Sequence, residues 1–159
     1  MNLSFKNYLL IKESISPFDL SENLLNFLGE LSFYQSNHYG LYDSTTLYNA
    51  YNKCSKEFKK ECTPNRNKIK NSFRGSDSKE TKSVLSFSTH SNYQTAKNNA
   101  GFYGNNVYSL KEHLQSYENA LDLSLLKNYF GTVLWNKITN IYSIGDDENE
   151  ILIFGGVWK

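Results

Sequence analysis

Apolar residues recur at helical spacing early in the chain. Leu24, Leu25, Leu28 and Leu31 lie on one side of a 3.6-residue period and predict an amphipathic helix packed on a core. Upstream, Ser16-Pro17 reads as an N-cap with proline at the first helical position. A second helix starts near Ser44, where Leu47, Tyr51, Cys54 and Phe58 form one apolar stripe. Residues 59–70 are polar and rich in lysine and contain Pro64, which predicts a solvated loop between two halves. Lys59, Lys60, Lys68 and Lys70 are expected to be solvated there.

The second half reads as strand-rich. Ser72–Gly75 and Val84–Ser88 predict short buried strands around a polar turn. Thr89 or Ser91 is placed to cap a helix carrying Ala96 and Ala100. Val107-Tyr108-Ser109-Leu110 is a further strand candidate, and Leu121–Leu126 suits either a strand or a short buried helix. Ile141-Tyr142-Ser143-Ile144 and Ile151–Phe154 flank Gly145-Asp146 as a hairpin-like pair. Helices come first and strands later, so the expected class is α+β, with N-terminal helices on a mixed or antiparallel β core. At 159 residues a single domain is expected, helical over about 1–65 and strand-rich over about 66–159.

Composition narrows the function classes. Seventeen basic residues against 16 acidic ones leave a net charge of +1, so no overall field draws the chain to nucleic acid or membrane. No nucleic-acid partner is expected on that ground. No apolar run approaches the roughly 18 residues of a membrane span, and Lys6 interrupts the short apolar start where a signal peptide would need continuity. A cytoplasmic protein is expected. The spacing of Cys54 and Cys62 fits neither a zinc site nor a disulfide framework, so two free thiols and no metal are expected. Nothing in the sequence sets an oligomeric state. Only Arg66 and Arg74 are arginines, and an Arg on an apolar strand suggests use of its planar fork, which grips phosphate oxygens as an ammonium cannot.

The densest candidate chemistry lies near the end. Glu148 and Glu150 sit two apart before the apolar run Ile151-Leu152-Ile153-Phe154. In extended backbone they share one side, and like-charged carboxylates so placed invite a cation between them. The bland reading is an acidic surface turn before a core strand. Asp146-x-Glu148 is a rival register for the pair.

Three stretches in order carry a resemblance: Phe73-Arg74-Gly75, then Ser86-Phe87-Ser88-Thr89, then Glu148-Asn149-Glu150 before the apolar strand. Together they resemble the ADP-ribosyltransferase superfamily over roughly residues 70–155, and more narrowly its arginine-specific branch, which includes bacterial toxins, vertebrate ecto-enzymes and phage-encoded enzymes. The small, Lys- and Asn-rich chain fits a phage or bacterial intracellular enzyme, acting in the host cytoplasm if phage-encoded.

The resemblance implies the fold of that superfamily, NAD as co-substrate and an arginine of a target protein as acceptor. It implies that Arg74 clamps the NAD phosphates and Gly75 leaves room for close approach. Ser88 would support the nicotinamide ribose and orient the catalytic Glu, with Ser86 and Thr89 assisting. Glu150 would be the catalytic carboxylate, and Glu148 would contact the acceptor guanidinium. Phe102, with Tyr103 in the Gly101–Gly104 segment, falls where the family often has a mobile loop over NAD; core packing is the plainer reading of both rings. The chain departs from the pattern at His90, where the family often has Ser, and no role is assigned to it. Two other classes stay open: a nucleotide- or nucleic-acid-modifying transferase or NAD glycohydrolase, and a catalytically inactive binding module of the same fold.

Overall fold

The computed structural model describes residues 20–36, 44–76, 84–103, 106–145 and 150–158. The Ser16-Pro17 cap lies outside these residues. Helix α1 (Glu22–Ser36) begins behind Ser21, whose hydroxyl accepts a hydrogen bond from the Leu24 N–H at 3.2 Å. Its predicted leucine stripe is buried as expected, joined by Phe27 and Tyr34.

The stripe from Leu47 to Phe58 is buried too, but on two helices rather than one. Helix α2 (Ser44–Asn52) ends before Ser55, whose hydroxyl accepts from the Phe58 N–H at 3.2 Å and starts helix α3 (Lys56–Glu61). Residues 59–70 are not a loop. Asn65 caps helix α4 (Arg66–Lys70) by accepting from the Lys68 N–H at 2.7 Å, and Ile69 anchors that helix in the core. Local capping by serine and asparagine outweighs the polar composition that suggested a loop.

Strand β1 (Phe73–Ser76) and strand β2 (Val84–His90) fall where the sequence predicts them. Helix α5 (Tyr93–Tyr103) follows, capped by Asn92, which accepts from the Thr95 N–H at 3.1 Å, rather than by Thr89 or Ser91. Next come β3 (Asn106–Ser109), the single turn α6 (Leu110–His113) and β4 (Leu114–Ser116). The ambiguous apolar run divides at Asp122 into β5 (Asn119–Asp122) and helix α7 (Leu123–Phe130). Asp122 makes the switch by turning its carboxylate onto the Ser124 N–H at 3.0 Å. Helix α8 (Thr132–Tyr142) takes up Ile141 and Tyr142, correcting the expected hairpin strand; Leu134, Trp135, Ile138 and Tyr142 form its buried face at helical spacing. Strand β6 (Glu150–Trp158) completes the described chain. Among its described residues the second half therefore holds three helices of two turns or more beside its strands.

The class is α+β, with every described strand pairing antiparallel. The sheet runs β3-β1-β2-β6, with β5 and then β4 along the other edge of β6. Between them Glu118 faces Gly155, which has a positive φ of +65° and where an added Cβ would lie 2.7 Å from the Glu118 side chain. Tyr48 donates its hydroxyl to Glu118 from α2, fixing that joint.

Strand alternation sorts β6 into two cores. Leu152 and Phe154 meet the large cluster built by α1, α2, α3, α7 and α8. Ile151 and Ile153 meet a smaller one with Ala120, Ile69 and Leu110. With its middle residues fully buried on both sides, β6 reads as the continuous apolar run that the sequence displays.

Candidate functional site

Glu150 is the first residue of β6, and its direct partner across β2 is His90. His90 in turn is the only described β2 residue paired with β1, opposite Phe73. One row therefore crosses three strands: Phe73, His90, Glu150. Directly paired residues project to the same side of a sheet, with Cβ atoms about 4.5–5.5 Å apart. His90 is only 4% exposed, while Glu150 is partly exposed and has its Oε1 buried.

Beyond that row, β1 and β2 separate. β1 continues along β3 through Arg74↔Tyr108, Gly75↔Val107 and Ser76↔Asn106. β2 continues along β6 through Thr89↔Ile151, Ser88↔Leu152 and Ser86↔Phe154. Continued antiparallel pairing would have set Arg74 against Thr89 and Gly75 against Ser88, and among the described residues no such pair forms. Arg74 and Gly75 thus stand on one lip of a split and Ser88 and Thr89 on the other, with His90 at its root.

Backbone alternation puts Arg74 at the opposite parity from the Phe73–His90–Glu150 row. It is partly buried, with Nε shielded from solvent. Thr89 is fully buried, and its hydroxyl donates to the carbonyl of Ile151 at 3.1 Å. That bond fastens β2 to β6 one residue beyond Glu150.

Phe102 and Tyr103 belong to the last turn of α5, which packs on β1, so the expected loop is helical at both. The start of α5 reaches the split as well: Tyr93, half exposed, stands edge-on to Phe73 with ring centroids 5.3 Å apart. Glu148, and with it Asp146 and Asp147, lies outside the described residues.

Two residues that the sequence reading left without a role hold this region. His90 is one, since a single sequence carries no strand register and nothing marked it as the neighbour of Glu150. Gln35 is the other. At the end of α1 it donates to the Gly145 carbonyl at 2.8 Å and accepts from the Gly145 N–H at 3.0 Å. This reciprocal pair fixes the described chain just before the acidic run. Near it, Tyr142 donates to the Leu25 carbonyl at 3.1 Å, and Ser32 donates to the Tyr142 carbonyl, so α1 holds the end of α8 from three sides.

Chemically, the region sets a guanidinium, by strand parity, on one side of the sheet and a strand glycine, the position of Ser88 and a partly buried carboxylate on the other, beside a gap between β1 and β2. Those are the groups that bind a pyrophosphate and stabilise a developing positive charge. Among the described residues no group of three or more His, Cys, Asp or Glu is arranged to hold a metal ion, and no helix is long and apolar enough to cross a membrane. In comparisons with known proteins, no family model, no curated protein and no solved structure matches the chain.

Proposed function

We propose that the protein is an NAD-dependent mono-ADP-ribosyltransferase that transfers ADP-ribose to an arginine of a target protein, on a fold of the ADP-ribosyltransferase type. What carries the reading is the β1–β2 split, with Arg74 and Gly75 on one lip, Ser88 on the other and Glu150 in the row at its root. Such a gap offers a dinucleotide two lips of backbone to lie between.

In this reading Arg74 grips the pyrophosphate by two parallel charge-assisted bonds, and Gly75 lets the backbone come close. Ser88 supports the nicotinamide ribose. The bond between the ribose C1′ and nicotinamide breaks, nicotinamide leaves with the electron pair, and positive charge develops on the ribose. Glu150 accepts a hydrogen bond from the ribose 2′-hydroxyl, a contact that strengthens as the charge develops and so lowers the barrier. Glu148 orients the acceptor guanidinium, whose nitrogen forms the new bond to C1′ and then gives up its proton.

The deciding experiment incubates the protein with labelled NAD and a cell lysate, then maps the modified residue. Label on arginine, lost in Glu150→Gln, is the expected result. Nicotinamide release with no protein label points to a glycohydrolase, and label on nucleic acid to the nucleotide-modifying class. No NAD turnover with retained NAD binding identifies an inactive binding module.

A further inference from the structure

Arg74 has a different neighbour on each side. Toward β2 lies the split; toward β3 its direct partner is Tyr108. Directly paired residues project to one side of a sheet with Cβ atoms about 4.5–5.5 Å apart, so the phenol stands beside the guanidinium. Among the described strands β3 is the last on that edge. Tyr108 is partly exposed. The imidazole of His113, from the single turn α6, meets its ring at a centroid distance of 5.2 Å and an interplanar angle of 82°. Such an edge-to-face contact fixes the phenol ring and occupies at most one of its faces. Among the described residues neither ring belongs to either buried apolar cluster, so core packing does not account for the pair.

We propose that Tyr108, held by His113, is the platform on which the adenine ring of NAD stacks. With Arg74 as the pyrophosphate clamp, the reading on which this subsite rests, the bound dinucleotide acquires a direction. In an extended NAD the two nucleoside arms leave the pyrophosphate on opposite sides. The nicotinamide arm has to pass the split and reach Glu150 on β6, two strands from β1 and about 10 Å away at the usual strand spacing. The adenosine arm is thereby sent the other way, over β3, where Tyr108 is the first residue across from Arg74.

The chemistry at that end suits a base better than a charged group. The Glu112 carboxylate lies 3.8 Å from Nε2 of His113 and would repel a phosphate placed there, whereas adenine carries no charge. Stacking on a tyrosine ring tolerates any base, so Tyr108 adds affinity and not discrimination among nucleobases.

The test is calorimetric titration of NAD into the full chain, with 5′-AMP and ribose 5-phosphate as competitors. The second lacks only the base. In wild type, AMP should compete at least about fivefold more tightly than ribose 5-phosphate. Tyr108→Leu should bind NAD at least about fivefold more weakly and erase the difference between the two competitors. Its affinity for ribose 5-phosphate should match wild type, which separates lost stacking from a disturbed fold. Tyr108→Phe keeps the ring and should keep both properties. Equal competition by AMP and ribose 5-phosphate in wild type overturns the adenine subsite and leaves the NAD reading standing, and needs no variant to be seen. Unchanged NAD affinity in Tyr108→Leu, or an equal loss of both competitors, overturns it as well. A wild type that binds no NAD overturns that reading and the subsite together.

Discussion

Glu150 and His90 face one another across β6 and β2, at the one described position where β1 pairs with β2. The carboxylate thus sits at the root of a split with an imidazole for its lateral neighbour, and the Thr89–Ile151 hydrogen bond locks the strand beside it. A side chain held in this way is fixed by the sheet and not by a loop, which is the preorganisation that charge stabilisation needs.

Glu150→Gln is the first consequence. The amide keeps the shape but loses the charge that the proposed mechanism sets against the ribose, so transfer and NAD hydrolysis should both fall by about 10²- to 10³-fold or more. Far-ultraviolet circular dichroism and Tm should be close to wild type. A variant with undiminished nicotinamide release removes Glu150 from the chemistry.

Arg74→Lys preserves charge and removes the fork. NAD affinity should drop, because an ammonium cannot make two parallel bonds to phosphate oxygens. Calorimetric titration of NAD into the two proteins measures this, and equal affinities refute the phosphate clamp.

How far the sequence reveals this molecule depends on which interactions are local. The leucine stripe of α1 and the apolar run of β6 were legible because burial imprints its period directly on the chain. The α3 and α4 helices were not, because they rest on short-range caps from Ser55 and Asn65 inside a polar stretch. Ile141 and Tyr142 were misassigned because a short apolar run fits a strand or a buried helix face equally well. At the candidate site the residue types were legible, but the split, the His90–Glu150 row and the Gln35 clasp on Gly145 were not. The His90–Glu150 pairing and the Gln35 clasp join residues 60 and 110 positions apart, the split depends on which strands pair, and a pattern along one chain does not encode such pairings.

Asp122 shows how much a single distant contact carries. Its carboxylate is fully buried, pairs with Lys68 of α4 and accepts from the Ser124 hydroxyl at 2.7 Å as well as from the N–H that starts α7. Asp122→Ala should cost about 2–4 kcal/mol, combining a lost helix cap with a broken, largely buried ion pair. Lys68, about a third exposed, retains access to water when its partner goes, which keeps the cost below that of a fully buried pair. Urea unfolding of the two proteins measures the difference, and a loss under about 1 kcal/mol contradicts this role.

Alkaline stability follows from the buried thiols. Burial pushes Cys54 up to about 11 and Cys62 up to about 12. The unfolded chain releases these protons from about pH 8.5, whereas the folded chain holds them longer. The contribution to stability is therefore full below about pH 8.5 and is lost as pH rises through the folded values. Tm should fall between pH 9 and pH 11, and Cys54→Ala/Cys62→Ala should fall less steeply. A residual slope is expected from Tyr51, whose phenol burial also pushes up. Identical slopes in the two proteins contradict the assignment to the thiols.

Glu148 separates the acceptor classes. A carboxylate pairs with a guanidinium through two parallel bonds, while water as acceptor needs no such partner. Glu148→Gln should therefore lose transfer to arginine far more than it loses NAD hydrolysis, whereas Glu150→Gln loses both, so the pair of variants gives two different ratios. The assay is nicotinamide release with and without agmatine, a small guanidinium acceptor. In wild type, agmatine should raise release; in Glu148→Gln that stimulation should disappear while basal release remains. A wild type that no guanidinium stimulates, together with a Glu148→Gln that matches it, rules out arginine as the acceptor. Release without an acceptor then assigns the site to NAD hydrolysis, and label on a nucleobase assigns it to nucleotide modification.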